Sequence, residues 1–408
     1  MSAHAKSRSH RLAEVALVVA AAAPLAMVLS RGIAPVLLAV AALVLALSST
    51  LAGRAPAARA RFAAFLRAPG GMLALAIAAW MLASLAWTPA FLRGGELALH
   101  VVASAVLVAI ALANLLVLAP PVRLPGAPVG GLLAAAAVLT IVELTLGSPL
   151  RGALGASQEA FRLNRTAVAL ALFLPLAVTL LLRDGRRAWA IALALVTASA
   201  VFVSDSESAK LALLAAGAPS LLARLAPRAA APIGGGAMLV ALFAIPVLAP
   251  FVNALVPAAL HEAVGYGALG IRGEIWAAYS RLVGESWLVG HGMEAGHVAA
   301  SFLARGVGAG VDPASAALLD WGHPHNVALQ IWFELGLVGV ILFAGAIVLA
   351  IRVVARLSGA LRPAALASAT AVFATSYVSH GAWQAWWWCL VGLLVLLYAA
   401  AREREARP

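Results

Sequence analysis

His323 and His325 stand at the entry to an apolar run that carries Asn326, Gln330 and Glu334. Helical spacing puts these last three at i, i+4 and i+8 on one face. A polar group inside a membrane segment costs on the order of several kcal/mol unless it is partnered. The stripe therefore reads as a site, the alternative being that it only ties neighbouring helices together. A neutral imidazole accepts a proton near neutral pH, and nearby arginines oppose its protonation and help keep it neutral. Arginine presents a planar fork suited to phosphate and keeps its charge. A base, several phosphate-binding cations and a lipid-facing scaffold fit a transferase that uses a lipid-linked phosphate donor. Taken singly, any one of these arginines reads equally well as a solvated loop residue or a headgroup contact.

Other chemistries find little support. The chain has no Walker loop, no His-Glu-x-x-His and no strand-borne Gly-x-Gly-x-x-Gly. Gly290-His291-Gly292 with His297 matches no standard zinc spacing, and Pro324 between His323 and His325 makes joint ligation of one ion awkward. Neither a metal nor a cofactor is expected. Cys389 is the single cysteine, so no internal disulfide forms.

The scaffold follows from composition. Hydrophobic residues make up 64% of the 408 and charged ones 11%, with a mean hydropathy of +1.00. A chain this apolar uses lipid as solvent. The net charge of +12 is scattered through short loops, where it sets topology, and this argues against nucleic acid as a partner. Lys6, Arg8 and Arg11 before an apolar stretch imitate a secretory signal. Further spans follow at once, so an uncleaved first helix is expected.

Apolar runs fall near 12–30, 32–52, 71–88, 97–119, 129–147, 166–182, 188–203, 209–223, 232–254, 326–351, 360–379 and 382–400. The expected architecture is an all-α polytopic membrane protein, a single integral domain over 1–408 with about 12 transmembrane helices. Residues 255–324 form one large outer loop between helices 9 and 10, Gly-rich, with a helix-like stretch from Ile271 to Leu282. With the N-terminus inside and strict alternation, nineteen of the 28 basic residues face the cytoplasm, as the positive-inside rule demands. Both termini are then cytoplasmic. The exceptions include Arg151, Arg162, Arg165, Lys210, Arg272, Arg281 and Arg305. Seven histidines also fall on or near the outer side: His100, His261, His291, His297, His323, His325 and His380. Cations and titratable groups thus converge on the outer face, which points to an anionic ligand handled there.

His325-Asn326, nine residues, then Gly336-Leu337-Val338-Gly339 resembles the signature of the bacterial O-antigen ligase family, which also takes in O-antigen polymerases and related transferases. Leu329-Gln330 and Glu334-Leu335-Gly336 resemble its recurring elements. Leu163-Asn164-Arg165-Thr166-Ala167 is similar to its Asn-Arg element, and Ile271-Arg272-Gly273-Glu274-Ile275-Trp276 to its Arg-x-x-Ile-Trp element. The likeness spans about residues 160–345. Two elements depart from the pattern. Ser204-Asp205-Ser206-Glu207-Ser208-Ala209-Lys210 stands where a Ser-Arg pair is usual, with Lys210 in place of the arginine, and Trp287-Leu288-Val289-Gly290 replaces a Pro-Leu-Leu-Gly turn.

The resemblance implies an inverting, metal-independent glycosyltransferase at the periplasmic face of the inner membrane. It would move polysaccharide from undecaprenyl pyrophosphate to a sugar hydroxyl of lipid A-core, with membrane lipids around it. His325 would act as general base. Arg165 and Arg272 would grip the pyrophosphate, with Arg162 and Lys210 further out. Asn326, Gln330 and Glu334 would orient the imidazole or the sugars. Two rivals keep the chemistry and change the acceptor: a polysaccharide polymerase and a protein O-oligosaccharyltransferase. A transporter or flippase is a rival of another class, with Glu143 its best intramembrane ionisable group.

Overall fold

The computed structural model describes residues 3–403 apart from 120, 123, 265 and 305–316. Arg305 and the glycines at 306, 308 and 310 lie outside the described residues, as does the side chain of His261. Thirteen helices carry the architecture: α1 (Ala3–Ala21), α2 (Ile33–Leu51), α3 (Pro69–Ala83), α4 (Phe91–Leu115), α5 (Gly126–Thr145), α6 (Asn164–Arg183), α7 (Arg187–Val203), α8 (Glu207–Leu225), α9 (Ala230–Leu248), α10 (Tyr266–Glu285), α11 (Val327–Ala355), α12 (Leu361–Val378) and α13 (Ala385–Glu403).

A helix stands at each of the twelve expected positions, with α10 in addition. Among the described residues, eight helices are long and apolar enough to cross a membrane: α2 to α6, α9, α11 and α13. The chain is a multi-pass helical membrane protein on this ground. The other four of the twelve expected helices fall short for visible reasons. Helix α7 has 17 residues, and α1 and α8 each hold several charges. Ser368, Thr370, Thr375 and Ser376 make α12 more polar.

Helix α6 is the axis of the bundle. It is apolar all round and 78% of its spanning window is buried, as expected of a helix that neighbours enclose on every side. It packs against α5, α7, α8 and α12. The Ser368 hydroxyl on α12 donates to Leu172 O of α6 at 2.9 Å and lies 2.9 Å from the Tyr398 hydroxyl on α13, tying three helices with one side chain.

Between α9 and α11, the described residues around α10 are packed against the bundle. Helix α10 extends the expected stretch at both ends. It buries Ile275, Trp276, Ala278, Tyr279 and Leu282 in a second core with α9 and α11. The Ser280 hydroxyl bonds Pro246 O at 2.7 Å and the Tyr279 hydroxyl bonds Gly296 O at 3.2 Å.

Hydrogen bonds fix which helix ends share a side. Buried Arg151 donates to Val28 O and Leu29 O at 2.6 and 3.0 Å, placing the turn before α2 beside the chain that leads into α6. Arg93 in the first turn of α4 pairs with Glu294 at 2.8 Å. The N-terminal ends of α2, α4 and α6 therefore lie toward one end of the bundle. Their C-terminal ends, with Arg183 in the last turn of α6, lie toward the other.

Candidate active site

Helix α11 is interrupted where the signature has its glycine. Gly336 adopts φ 62° and ψ −166°, and it separates a short leading segment from a longer trailing one. The backbone freed by the break is paired by the segment after α10. His291 N and Gly292 N donate to Phe333 O and Glu334 O at 2.8 and 2.9 Å, and Leu337 N donates to Trp287 O at 2.8 Å. Trp80 Nε1 takes Leu335 O at 3.0 Å. Lipid offers no replacement for these bonds, so a broken helix at membrane depth needs protein partners.

A Cβ on Gly336 would lie 2.4 Å from Leu288 O, and one on Gly290 would lie 2.4 Å from Glu334 C. Gly336→Ala should therefore combine a backbone strain of about 1–3 kcal/mol with a clash against fixed main chain. A lowered midpoint of thermal unfolding in detergent is the expected result. A midpoint equal to the parent's would mean that the break is not built around this glycine.

The turn leading into α11 holds His325 in a left-handed conformation, φ 51°, which a non-glycine residue keeps only when its surroundings impose it. Three contacts do so. His325 N donates to His323 Nδ1 at 3.1 Å, Trp276 Nε1 to Pro324 O at 2.8 Å, and Leu329 N to Asn326 Oδ1 at 2.9 Å. The His325 ring meets Ser379 O through Nδ1 at 3.3 Å, while its buried Nε2 has no protein partner. A carbonyl only accepts, so this contact keeps the proton on Nδ1 and leaves the lone pair on Nε2. Burial is the main reason that His325 titrates below its ordinary value, with Arg272 adding to the effect and the bond to Ser379 opposing it. Burial likewise holds His323 at about 3, with His325 and Arg93 contributing.

His325 lines a cavity of about 490 Å³ together with Arg165, Lys210, Arg272, Ser379 and His380, the carboxylates Asp205 and Glu207, and Phe161, Asn164, Val168, Ser206 and Ser208. Four of the expected site residues meet here from four separate elements. Arg165 enters at the N-terminal end of α6 with its guanidinium carbon 5.5 Å from the Trp386 ring centroid. Arg272 comes from α10, where burial lowers its pKa and Glu207 partly offsets the shift. Among the described residues, no ion pair engages Arg165 or Arg272. Lys210 is 2.8 Å from Glu207, so part of its charge is spent within α8. Helices α6, α8 and α11 all start at the cavity, and helix N-termini favour anions.

Four expected residues do not line the cavity. Arg162 sits half exposed on Glu159 at 3.1 Å and over the Phe161 ring. Asn326 is not part of a helical stripe, because it is the extended N-cap of α11. Gln330 and Glu334 do stack as expected, with Gln330 Nε2 donating to Glu334 Oε1 at 2.8 Å. Both are buried against protein. Gln330 Oε1 accepts from Ala382 N at 2.7 Å, and Glu334 Oε2 accepts from Glu294 N at 2.7 Å and from Trp383 Nε1. They fasten the chain around Ser379 to α11, and so act on the imidazole through its neighbours.

Other polar groups find structural uses. Glu143 accepts from Leu150 N and Arg151 N at 2.7 and 3.0 Å, capping the helix Pro149–Ala153. His291 is stacked between Phe302 and Phe333 with Nε2 on Leu282 O at 2.8 Å. Among the described residues, no group of three His, Cys, Asp or Glu could hold a metal ion.

His380 and Ser379 are the site residues that motif spacing missed. They occupy the short gap between two apolar runs, and a histidine in so short an outer turn was the available signal. His380 packs against Trp386 and Trp387 with Nε2 unpartnered. Burial holds its pKa at about 3, and Arg165 adds to the shift.

Apolar helices around a histidine-bearing cavity that gathers Arg165, Lys210 and Arg272 at one end define a polytopic membrane protein. Residues 191–344 match the family model described as O-antigen ligase. Over this segment the chain is similar to the O-antigen ligase family. The matched segment holds Lys210, Arg272 and His325, whereas Arg165, Ser379 and His380 lie outside it. The search of curated proteins returned no match.

Proposed function

We propose that the protein is an O-antigen ligase. It transfers polysaccharide from undecaprenyl pyrophosphate to a sugar hydroxyl of lipid A-core, with inversion and without a metal. The observation that carries this reading is one cavity lined by His325 together with Arg165, Arg272 and Lys210, the imidazole's Nε2 being without a hydrogen-bond partner. In the proposed step the acceptor hydroxyl oxygen attacks the anomeric carbon while its proton passes to Nε2. The bond from that carbon to the pyrophosphate oxygen breaks, and the electron pair leaves with the pyrophosphate. Arg165 and Arg272 stabilise the developing charge, so the leaving group departs without a proton. Lys210 adds to their field, and Arg162 contributes from farther out.

Two further features support a lipid-linked glycan. Phe161, Phe202 and Leu211 are exposed apolar side chains on the elements flanking the cavity, suited to a polyprenyl chain. Trp321 is 56% exposed with its ring centroid 5.5 Å from that of His325, and an aromatic face beside the base suits a sugar ring. The cavity end faces the periplasm of the inner membrane and both termini face the cytoplasm, in line with the basic residues at the opposite end. A polymerase or a protein-glycosylating enzyme would use the same step on another acceptor.

The test is transfer by the purified protein in EDTA, given a polyprenyl-pyrophosphate glycan and lipid A-core. The expected product is glycosylated lipid A-core with inverted anomeric configuration at an undiminished rate. Loss of transfer in EDTA, restored by one particular ion, would overturn the metal-free step. Transfer to a second glycan or a protein in place of lipid A-core would reassign the acceptor.

A further inference from the structure

A second cavity lies at the other end of the bundle, away from His325. The chain between α2 and α3 forms a helix, Ala55–Arg67, with no acidic residue and with Arg59, Arg61 and Arg67 along it. It packs against α3 and α4. Under it, beside the C-terminal ends of α2 and α4, opens a space of about 560 Å³ lined by Ala46, Thr50, Ala55, Ala58, Arg59, Phe62, Ile110, Ala113 and Asn114.

The lining is that of an amphiphile's site. Its walls are alanines, Ile110 and Phe62, and its one charge is Arg59. Asn114 Oδ1 accepts from the Ser49 hydroxyl, and its Nδ2 donates to Ile110 O at 2.8 Å. One amide hydrogen is left for a ligand. Among the described residues, no carboxylate pairs with Arg59. Arg61 and Arg67 add positive charge to the same helix, and a short basic helix at a membrane surface attracts anionic lipid.

We propose that this cavity binds one anionic phospholipid from the leaflet opposite the histidine-bearing cavity. Its phosphate lies on Arg59, and one acyl chain lies along Phe62, Ile110 and the alanines. A charge-assisted phosphate contact is worth roughly tenfold or more in affinity. Arg67, on the same helix but outside the lining, supplies a control of equal charge.

Native mass spectrometry of the full-length protein in mixed micelles reads the outcome. Both lipids carry the phosphate, but choline neutralises it and is repelled by the arginines of this helix, so the parent should retain phosphatidylglycerol about tenfold better than phosphatidylcholine. Arg59→Gln should lose that preference and Arg67→Gln should keep it. Ala46→Phe, which fills the space without altering charge, should reduce retention of both lipids. Equal losses in Arg59→Gln and Arg67→Gln would show a diffuse basic surface and overturn the site. Equal retention of the two lipids by the parent would show a groove for acyl chains alone, and unchanged retention by Ala46→Phe would place the lipid elsewhere.

Discussion

His325→Ala should turn over about 10²–10⁴-fold more slowly than the parent, the usual contribution of a general base, while still binding the lipid-pyrophosphate donor. Because His325 has φ 51°, alanine adds backbone strain to the chemical loss. His325→Asn is the cleaner variant, since asparagine tolerates the left-handed region better. Both should fail in transfer at matched expression, and near-normal transfer by His325→Asn would remove the base from the mechanism. His323→Ala deletes the acceptor for His325 N and a ring contact with the His325 imidazole at 4.2 Å, so it should cost stability and lower turnover less than His325→Ala does. The pH profile carries a sign. The base works when neutral, and its neutral form is lost as pH falls through the folded pKa. Burial places that value below the ordinary one. The rate should therefore hold between about pH 7.5 and about pH 6.5, where an unperturbed histidine would be half protonated.

Arg165→Ala and Arg272→Ala should each lose about one to two decades of transfer, from roughly 1.5–3 kcal/mol per charge-assisted contact. The two come from separate elements and line one cavity. Lysine at either position keeps the charge without the bidentate fork, so it should be impaired less than alanine. Two cations on one pyrophosphate are coupled, and the double variant should depart from the sum of the single losses. The measurement is transfer from a lipid-pyrophosphate donor by both single variants and the double. Parent-like rates for both single variants would dissolve the clamp and leave Lys210 and Arg162 as the remaining cations.

The sequence pattern places a helix at every expected position, because apolar runs bounded by arginines are a strong one-dimensional signal. The residues that line the cavity, Arg165, Lys210, Arg272 and His325, were legible through short motifs, three of them at the start of a helix and Arg272 within α10. The fate of Gln330 and Glu334 was not. Spacing put them on one face correctly, yet it could not say that Ala382 N, Trp383 and Glu294 N would take their oxygens. Those partners come from distant segments that carry no periodic mark. The broken helix was hidden for a related reason. Gly336 reads as a signature glycine within an apolar run, with no sign that the helix breaks there until Leu288 O is seen beside it.

The cavity draws on residues 161–168, 205–210, 272, 325 and 379–380, and this dispersal has a bearing on when the protein becomes competent. During synthesis the chain emerges from its N-terminus. Arg165 is placed early, and the His325 turn follows much later. Ser379 O, which fixes the imidazole's proton on Nδ1, and Trp386, which backs Arg165, belong to the last stretch to be made. A nascent chain that already contains the entire family-matched segment still has an unoriented base and an unsupported arginine. Arg165 gains its aromatic partner only as α13 is added, so on the proposed function an unfinished or C-terminally clipped product is expected not to transfer.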